Sequence, residues 1–485
     1  MKAIDKSAGR VIEIFTELSA IPRCSKNEAA ARQWAKSWAE SRGLTCKTDK
    51  YGNMLITVPG NNHRPDAPAI VIQGHFDMVC EKSPDSDHDF TRDPIRLIRE
   101  GDWIRADKTT LGADNGIAIA YGMALAEKND IPRPPVELLF TVEEEIGLNG
   151  AIEISNNFFR GTVLLNIDSG EEGIFTIGCS GGKNIKLILD VKKITPPPDH
   201  EAITITAGGF IGGHSGLDIN KNRKNALRIL AMITASLMQQ YPVYIADFSG
   251  GSASNAIPRD AMTIIAVPCT IKNEIKQKID EEVDSMCEAF RKTEPSLCIK
   301  SVNTALPEYI LSEADSRKII NILCALPNGP LSMSESFENI VDTSCNMAIV
   351  GFRDDKFEVL ASTRSPHRLG IKQVETSIRA VAGMTSADVW TGEGYPGWVP
   401  DPDSSLLKRC VKIYRETSGK EPEITVVHAG LECGVIGSKY PGLDMISFGP
   451  DIEGLHSPFE KMNLSSVERV WNFILNLMRS FAMEE

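Results

Sequence analysis

Five short polar clusters hold the residues most able to do chemistry. Gly74-His75-Phe76-Asp77 follows the apolar run 69–73. A histidine and an aspartate two apart share one face of an extended segment. A metal-ligating histidine needs its second ring nitrogen held, commonly by a carboxylate, and Asp77 can do this directly or by gripping a neighbour. The plain alternative is a hydrogen-bonded loop pair. Asp114 stands in Gly112-Ala113-Asp114-Asn115-Gly116, ahead of the helical pattern 117–127. Glycines beside an acid let the backbone crowd a bound ion, but aspartate is also an ordinary helix cap. Glu143-Glu144-Glu145 ends the apolar run 136–142 and precedes Gly147, an odd place for three solvated acids. Adjacent carboxylates can divide two tasks, one ligating a metal and the other working as a general base. Asp168 closes the run 162–167, and its alternative role is turn formation. His456 in His456-Ser457-Pro458 lies far along the chain, where a lone histidine is more often structural. Two histidines and several carboxylates can hold two divalent ions with a shared aspartate. A nitrogen and oxygen donor set without thiolate suits Zn²⁺, and also Mn²⁺ or Co²⁺. Two such ions about 3.5–4 Å apart can activate a water and polarise a carbonyl.

The elements that must position these residues follow from hydrophobic period. Residues 11–21 repeat apolar side chains at helical spacing. Ser25 and Glu28 form a capping-box pattern ahead of a helix ending near Gly43. The runs 54–58, 69–73, 136–142 and 162–167 are too short for helices and read as buried strands. Strand and helix alternate, so a largely parallel sheet covered on both faces is expected. Sites in such sheets form at strand ends, where the clusters fall. Near residue 183 the style changes. Runs 183–194, 201–206, 262–267 and 357–362 alternate apolar and polar, and 225–240 and 274–292 are amphipathic helical patterns. This predicts an α+β unit with a one-faced antiparallel sheet. After about residue 390 the first style returns, with a helix at 405–417, strands at 424–427 and 445–448, and a last helix from Ser465. The fold class is therefore α/β: a discontinuous catalytic domain (1–182 and 391–485) interrupted by an inserted α+β domain (183–390).

Composition narrows the partners. The chain has 485 residues, with 52 Lys plus Arg against 65 Asp plus Glu, a net charge of −13. An acidic balance argues against nucleic acid and anionic membranes. No run of about 18 apolar residues exists to span a bilayer. Asp5, Lys6, Arg10, Glu13 and Glu17 make the N-terminal segment an amphipathic helix, unlike a signal peptide core. The 11 cysteines are scattered without framework spacing, which predicts reduced thiols in a cytoplasmic chain.

GHFDMV, TTLGADNGIA, TVEEEIGLNGA, LLNIDSGEEG, GGHSG, NAIPRD, YPGW, HAGLECG and GLHSP occur in this order between His75 and His456. As a set they resemble the cytosolic metallodipeptidases of the aminoacylase/carnosinase family. The resemblance implies a zinc-binding α/β domain with an inserted lid that forms a homodimer. It implies hydrolysis of unblocked dipeptides, Xaa-His preferred, by a water bridging two ions. His75 and Asp168 would bind one ion, Glu145 and His456 the other, and Asp114 both. Counting back from Gly147 in the family's EE-x-G pattern makes Glu144 the general base and acid and leaves Glu143 spare. Asp77 would orient His75. His214, Asn255, Arg364 and Gly430 would bind substrate, His214 helping to stabilise the oxyanion and reaching the partner subunit's site. A guanidinium at Arg364 suits a terminal carboxylate. Within this class an N-acyl amino-acid deacylase or a broad di/tripeptidase is the alternative.

Two rivals lie outside that class. Gly178-Cys179-Ser180-Gly181-Gly182 satisfies the serine-hydrolase elbow pattern after the strand run 174–177. The following residues 183–191, however, alternate as a strand where the elbow needs a helix. A binding protein that has lost its chemistry would usually lack ligands or base, and here every position is filled.

Overall fold

The computed structural model describes residues 6–61 and 67–483; Asp5 of the N-terminal pattern lies outside the described residues. The chain divides into two compact units. One comprises the described residues up to Cys179, Trp398–Val426, and those from Leu431 onward; the other is Ser180–Gly397 with Val427–Gly430.

The first unit is built on an eight-stranded sheet. Its order is Thr45–Thr48, Met54–Val58, Val136–Thr141, Ile70–His75, Val163–Asn166, Asp444–Ser447, Ile174–Cys179, Glu423–Val427. The central four strands are mutually parallel, while Thr45–Thr48 with Met54–Val58, Met54–Val58 with Val136–Thr141, and Asp444–Ser447 with Ile174–Cys179 pair antiparallel. Every residue of Ile70–His75 and Val136–Thr141 is buried, so both faces of these strands are covered and their residues do not alternate between core and solvent. Helix Ala113–Glu127 is buried along nearly its whole length, and Lys6–Ser19 packs on it. Each fully buried Ile, Leu or Phe of this layer stabilises the fold by about 1.5–3 kcal/mol. A small antiparallel sheet, Ile452–Glu453, Lys461–Asn463, Trp103–Ala106 and Leu97–Glu100, carries the segment between Glu453 and Lys461.

Parallel pairing decides where the polar clusters go. His75 is level with Thr141, and Gln73 with Asn166. Neighbouring parallel strands end on the same side, so His75, the 143–145 turn and Asp168 emerge together.

The second unit holds a nine-stranded antiparallel sheet. Cys298–Thr304, His200–Gly208, Ala261–Pro268, Tyr244–Gly250, Val341–Arg353, Lys356–Ser365, Gly181–Asp190 and Asp388–Thr391 follow in order, with Gly329–Met333 added on Val341–Arg353. Inward residues such as Ile203, Ile205, Leu187 and Val359 form one core with helices Ala226–Gln240, Glu313–Ala325 and Arg368–Thr385. The Asn225 side chain caps the first of these by accepting the Leu227 and Arg228 N–H groups.

Two local expectations fail. The Ser25 and Glu28 capping box does not form: helix Ala29–Ser41 starts without a side-chain cap. The Ser25 hydroxyl donates to Asp77 at 2.8 Å instead, and Glu28 Oε1 accepts the Lys26 and Glu143 N–H groups. The helix starts at Ala29, three residues later than a Ser25 cap requires. The cysteines are also not all reduced. Cys24 and Cys80 are joined as a disulfide across 5.8 Å between Cα atoms. A bridge between Cys24 and Met78 sets the two segments side by side, a proximity that 56 residues of separation hide in the sequence.

Candidate metal centre

His75 is the hub of the first unit's polar cluster. Its ring is buried, with Nε2 3.2 Å from Asp114 Oδ1, 3.6 Å from Asp168 Oδ1 and 3.9 Å from Glu144 Oε2. A second histidine approaches the other side of the same aspartate. His456 Nε2 lies 3.1 Å from Asp114 Oδ2 and 3.2 Å from Glu145 Oε2. Asp114 thus offers one oxygen to each imidazole. The donor atoms of His75, Asp114 and Asp168, of His75, Glu144 and Glu145, and of Asp114, Glu145 and His456 each fall within 4.8 Å of one another.

Asp77 organises this group from behind. Its carbonyl oxygen lies 3.0 Å from His75 Nδ1 and its carboxylate 3.4 Å. The same carboxylate accepts the backbone N–H groups of Glu144 and Glu145 at 3.0 and 3.1 Å. Glu143 turns away: its carboxylate takes the Tyr51 hydroxyl at 3.0 Å and the Asn149 amide at 3.1 Å. Asn115 binds the other strand ends together. It accepts the His75 N–H and donates to the Ile167 carbonyl and to Asp168.

Sequence reasoning overlooked two buried acids here. Glu460 accepts four consecutive backbone N–H groups, Leu111, Gly112, Ala113 and Asp114, at 2.7–3.3 Å. It therefore holds the loop that presents Asp114. Its only signal was an acid four residues past His456. Glu432 is wholly buried, accepting from Gln73 and from Thr141 at 2.8 Å. It sits within HAGLECG, where an acid among apolar residues was the available clue. Arg23, also buried and unremarked, donates to the carbonyls of Phe76, Asp77 and Gly112.

The electrostatics are those of an acid-rich cluster calling for cations. Burial opposes charge on His75, yet Asp114, Asp168 and Asp77 raise its proton affinity well above the ordinary value. Asp114 and Glu145 push His456 up to about 11. Burial lifts Asp168 to about 6 and Glu144 well above the carboxylate range, with His75 opposing in both. Glu145 Oε1 is buried with no hydrogen-bond partner among the described residues. An orphaned carboxylate oxygen amid converging acids and imidazoles fits a divalent-ion site, since buried charge must be compensated. The donors are all nitrogen and oxygen, a set that Zn²⁺, Mn²⁺ and Co²⁺ accept.

His214, Asn255, Arg364 and Gly430 belong to the second unit. His214 and Ala256 pair between two short strands, so Asn255 is next to that pairing. Burial and the nearby Arg364 push His214 down to about 4, and its Nδ1 accepts the Gly216 and Leu217 N–H groups. Arg364 is 6% exposed and its Nε has no partner among the described residues. Ser180 of the elbow pattern is buried at the head of the ten-residue strand Gly181–Asp190, so no elbow helix follows it. Its hydroxyl is 2.8 Å from His428 Nδ1, but the other ring nitrogen meets Ser344 at 2.7 Å. A histidine held between two hydroxyls lacks the orienting carboxylate of a nucleophile-activating pair.

Comparisons with known proteins agree with this chemistry. Residues 71–480 match Peptidase family M20/M25/M40. The chain is 32% identical over 467 residues to the cytosol non-specific dipeptidase of Escherichia coli (strain K12), covering 96% of each. It is similar to the crystal structure of aminoacylhistidine dipeptidase from Vibrio alginolyticus, with TM-score 0.90 and 34% identity, covering 99% of this chain and 97% of that one. A tripeptidase from Staphylococcus aureus shares the fold alone, at TM-score 0.57 and 16% identity over 98% and 99% of the two chains.

Proposed function

The chain belongs to peptidase family M20/M25/M40 and is a metallo-dipeptidase; on that premise we propose that it cleaves unblocked dipeptides, Xaa-His preferred, with Glu144 as the proton carrier. The observation that carries the reading is Asp114 shared between His75 and His456, with Glu144 beside the cluster and outside the His456 group. His75 and Asp168 would hold one ion, Glu145 and His456 the other, and Asp114 both. Zn²⁺ is the preferred metal, Mn²⁺ and Co²⁺ being compatible. Such ions, when bound, lower the pKa of a water and polarise a carbonyl.

The protein's own groups do the rest. Glu144 takes the proton of the attacking water and delivers it to the leaving amine nitrogen. Burial raises its proton affinity above that of an ordinary carboxylate, which favours taking the proton of the water. Asp77 keeps His75 oriented and fixes the backbone from which Glu144 and Glu145 project. The unpaired Arg364 Nε suits the substrate's free carboxylate, assisted by Asn255 and the Gly430 backbone. His214, held neutral, would donate to the developing oxyanion.

We read 1–182 with 391–485 as the catalytic domain and 183–390 as a lid that also forms a homodimer. The Escherichia coli relative is cytosolic by name, which supports a cytoplasmic location. The net charge of −13 supports a protein without nucleic-acid partners. Among the described residues no helix is long and apolar enough to cross a membrane.

The deciding experiment is a hydrolysis panel on metal-stripped protein with Zn²⁺, Mn²⁺ or Co²⁺ restored. Xaa-His dipeptides should be cleaved fastest, other dipeptides more slowly, and N-acylated or longer peptides least. Equal rates across dipeptides would replace the Xaa-His preference by the broad specificity in the Escherichia coli relative's name. Faster cleavage of N-acyl amino acids would overturn the dipeptide reading.

A further inference from the structure

Tyr395 lies in a slot between two glycines of the second unit. A Cβ placed on Gly182 would come within 2.5 Å of the tyrosine hydroxyl and 2.6 Å of Cζ. A Cβ on Gly430 would come within 2.8 Å of Cε2 and 3.1 Å of Cζ. Only residues without a side chain leave room for the phenol there. Gly182 and Tyr395 also exchange backbone hydrogen bonds, at 3.0 and 2.9 Å. The ring is therefore fixed on both faces and along its own backbone.

What the ring does with that fixed position is meet Arg364. Arg364 Nη1 donates to the Tyr395 hydroxyl at 3.0 Å. Register explains the encounter: Arg364 is directly opposite Gly182 on the neighbouring strand, and opposite Ser344 on its other side. With one N–H spent on the phenol, the guanidinium keeps its Nε donor unpaired although the residue is 6% exposed. A buried cation with a free donor is poised for an anion.

The Gly430 wall of the slot is itself pinned. The Ser180 N–H lies 3.1 Å from the Val427 carbonyl and 3.0 Å from that of Ala429. His428, between them, is held at both ring nitrogens by Ser180 and Ser344. A neutral imidazole has one donor and one acceptor, and both are used. The Ser180 and His428 contact thus serves to place a backbone segment.

We propose that Tyr395 is a positioning residue for the substrate's free carboxylate, orienting the guanidinium of Arg364 by occupying its Nη1, with His428 holding the Gly430 side of the slot. The inference rests on the reading of Arg364 as the carboxylate partner and deepens it. The ligand class is a small peptide ending in a free carboxylate, which a carboxamide cannot replace.

The test uses metal-loaded protein and two probes read by calorimetry without turnover. Both are Ala-His analogues whose peptide carbonyl is reduced to methylene, one ending in the acid and one in the carboxamide. Tyr395→Phe keeps the ring in its slot and removes only the hydroxyl that accepts from Arg364. It should weaken binding of the acid about tenfold and leave the carboxamide unchanged, and it should raise KM for Ala-His while kcat stays within about twofold. His428→Gln, which can still hydrogen-bond both serines, should retain most acid binding, whereas His428→Ala should lose it as Tyr395→Phe does. Unaltered acid binding by Tyr395→Phe, or equal losses for acid and carboxamide, would overturn the proposal. If the unaltered protein binds the acid better than the carboxamide yet cleaves no dipeptide, the dipeptidase reading fails while this one stands. Equal binding of the two probes by the unaltered protein sinks this one.

Discussion

Asp77 and Glu144 are joined through the backbone: Asp77 Oδ1 accepts the Glu144 N–H at 3.0 Å, while the Glu144 side chain faces His75 with Oε2 3.9 Å from Nε2. The second oxygen takes the Glu145 N–H and the Ser25 hydroxyl. One carboxylate therefore fixes both the imidazole of His75 and the turn carrying the acid pair. Asp77→Ala should weaken metal affinity by about 10–100-fold, with a loss of activity that excess metal only partly restores. Competition with a chromogenic chelator measures it, and unchanged affinity would remove Asp77 from the positioning role.

Glu144→Gln keeps the shape and the backbone bonds of Glu144 but not its proton chemistry. Metal content measured by mass spectrometry should stay at the level of the unaltered protein. The kcat should fall by about 10²–10⁴-fold. Near-normal turnover, or loss of metal in step with activity, would contradict the assignment.

Glu460 reaches the centre only through the Asp114 loop. Replacing it by alanine leaves four backbone N–H groups without their acceptor, each costing about 1–3 kcal/mol when buried and unpaired. Glu460→Ala should therefore lower the unfolding midpoint and weaken metal binding together. Glu460→Gln, with one acceptor oxygen left, should fall between. A stable alanine variant with normal metal affinity would show that the loop holds itself.

His428 makes a pH prediction. Burial first, then Arg364 and His214, push its imidazole down to about 3 from an ordinary value of 6.5. A group that binds its proton less readily when folded contributes stability above 6.5 and loses it as pH falls toward 3. The unfolding midpoint should thus drop between pH 6.5 and 4.5 more steeply in the unaltered protein than in His428→Gln. Thermal melts across that range decide it, and parallel slopes would mean that the histidine is not held neutral.

Much of the site could be read from the chain because its residues cluster at strand ends. His75, the 143–145 run and Asp168 each follow an apolar strand, and parallel pairing then carries all three to one side. The choice among Glu143, Glu144 and Glu145 needed a family pattern, because three identical neighbours have no distinguishing spacing. In space they differ at once: Glu143 goes to Tyr51 and Asn149, Glu145 to His456. The capping box failed for the opposite reason. Ser25 and Glu28 had the right spacing, but the helix begins at Ala29, leaving Ser25 outside it with its hydroxyl donating to Asp77.

Periodicity and residue type alone determined the alternation of elements, the change of style near residue 183, and the pool of acids and imidazoles. Those are properties of neighbours along the chain. Contacts between distant segments were settled only by folding: the Cys24–Cys80 disulfide, Glu460 beneath the Asp114 loop, and Tyr395 between Gly182 and Gly430. Such pairings depend on register and on which backbone leaves room for a side chain. No linear spacing encodes either, because the free energy that selects them belongs to the packed chain as a whole.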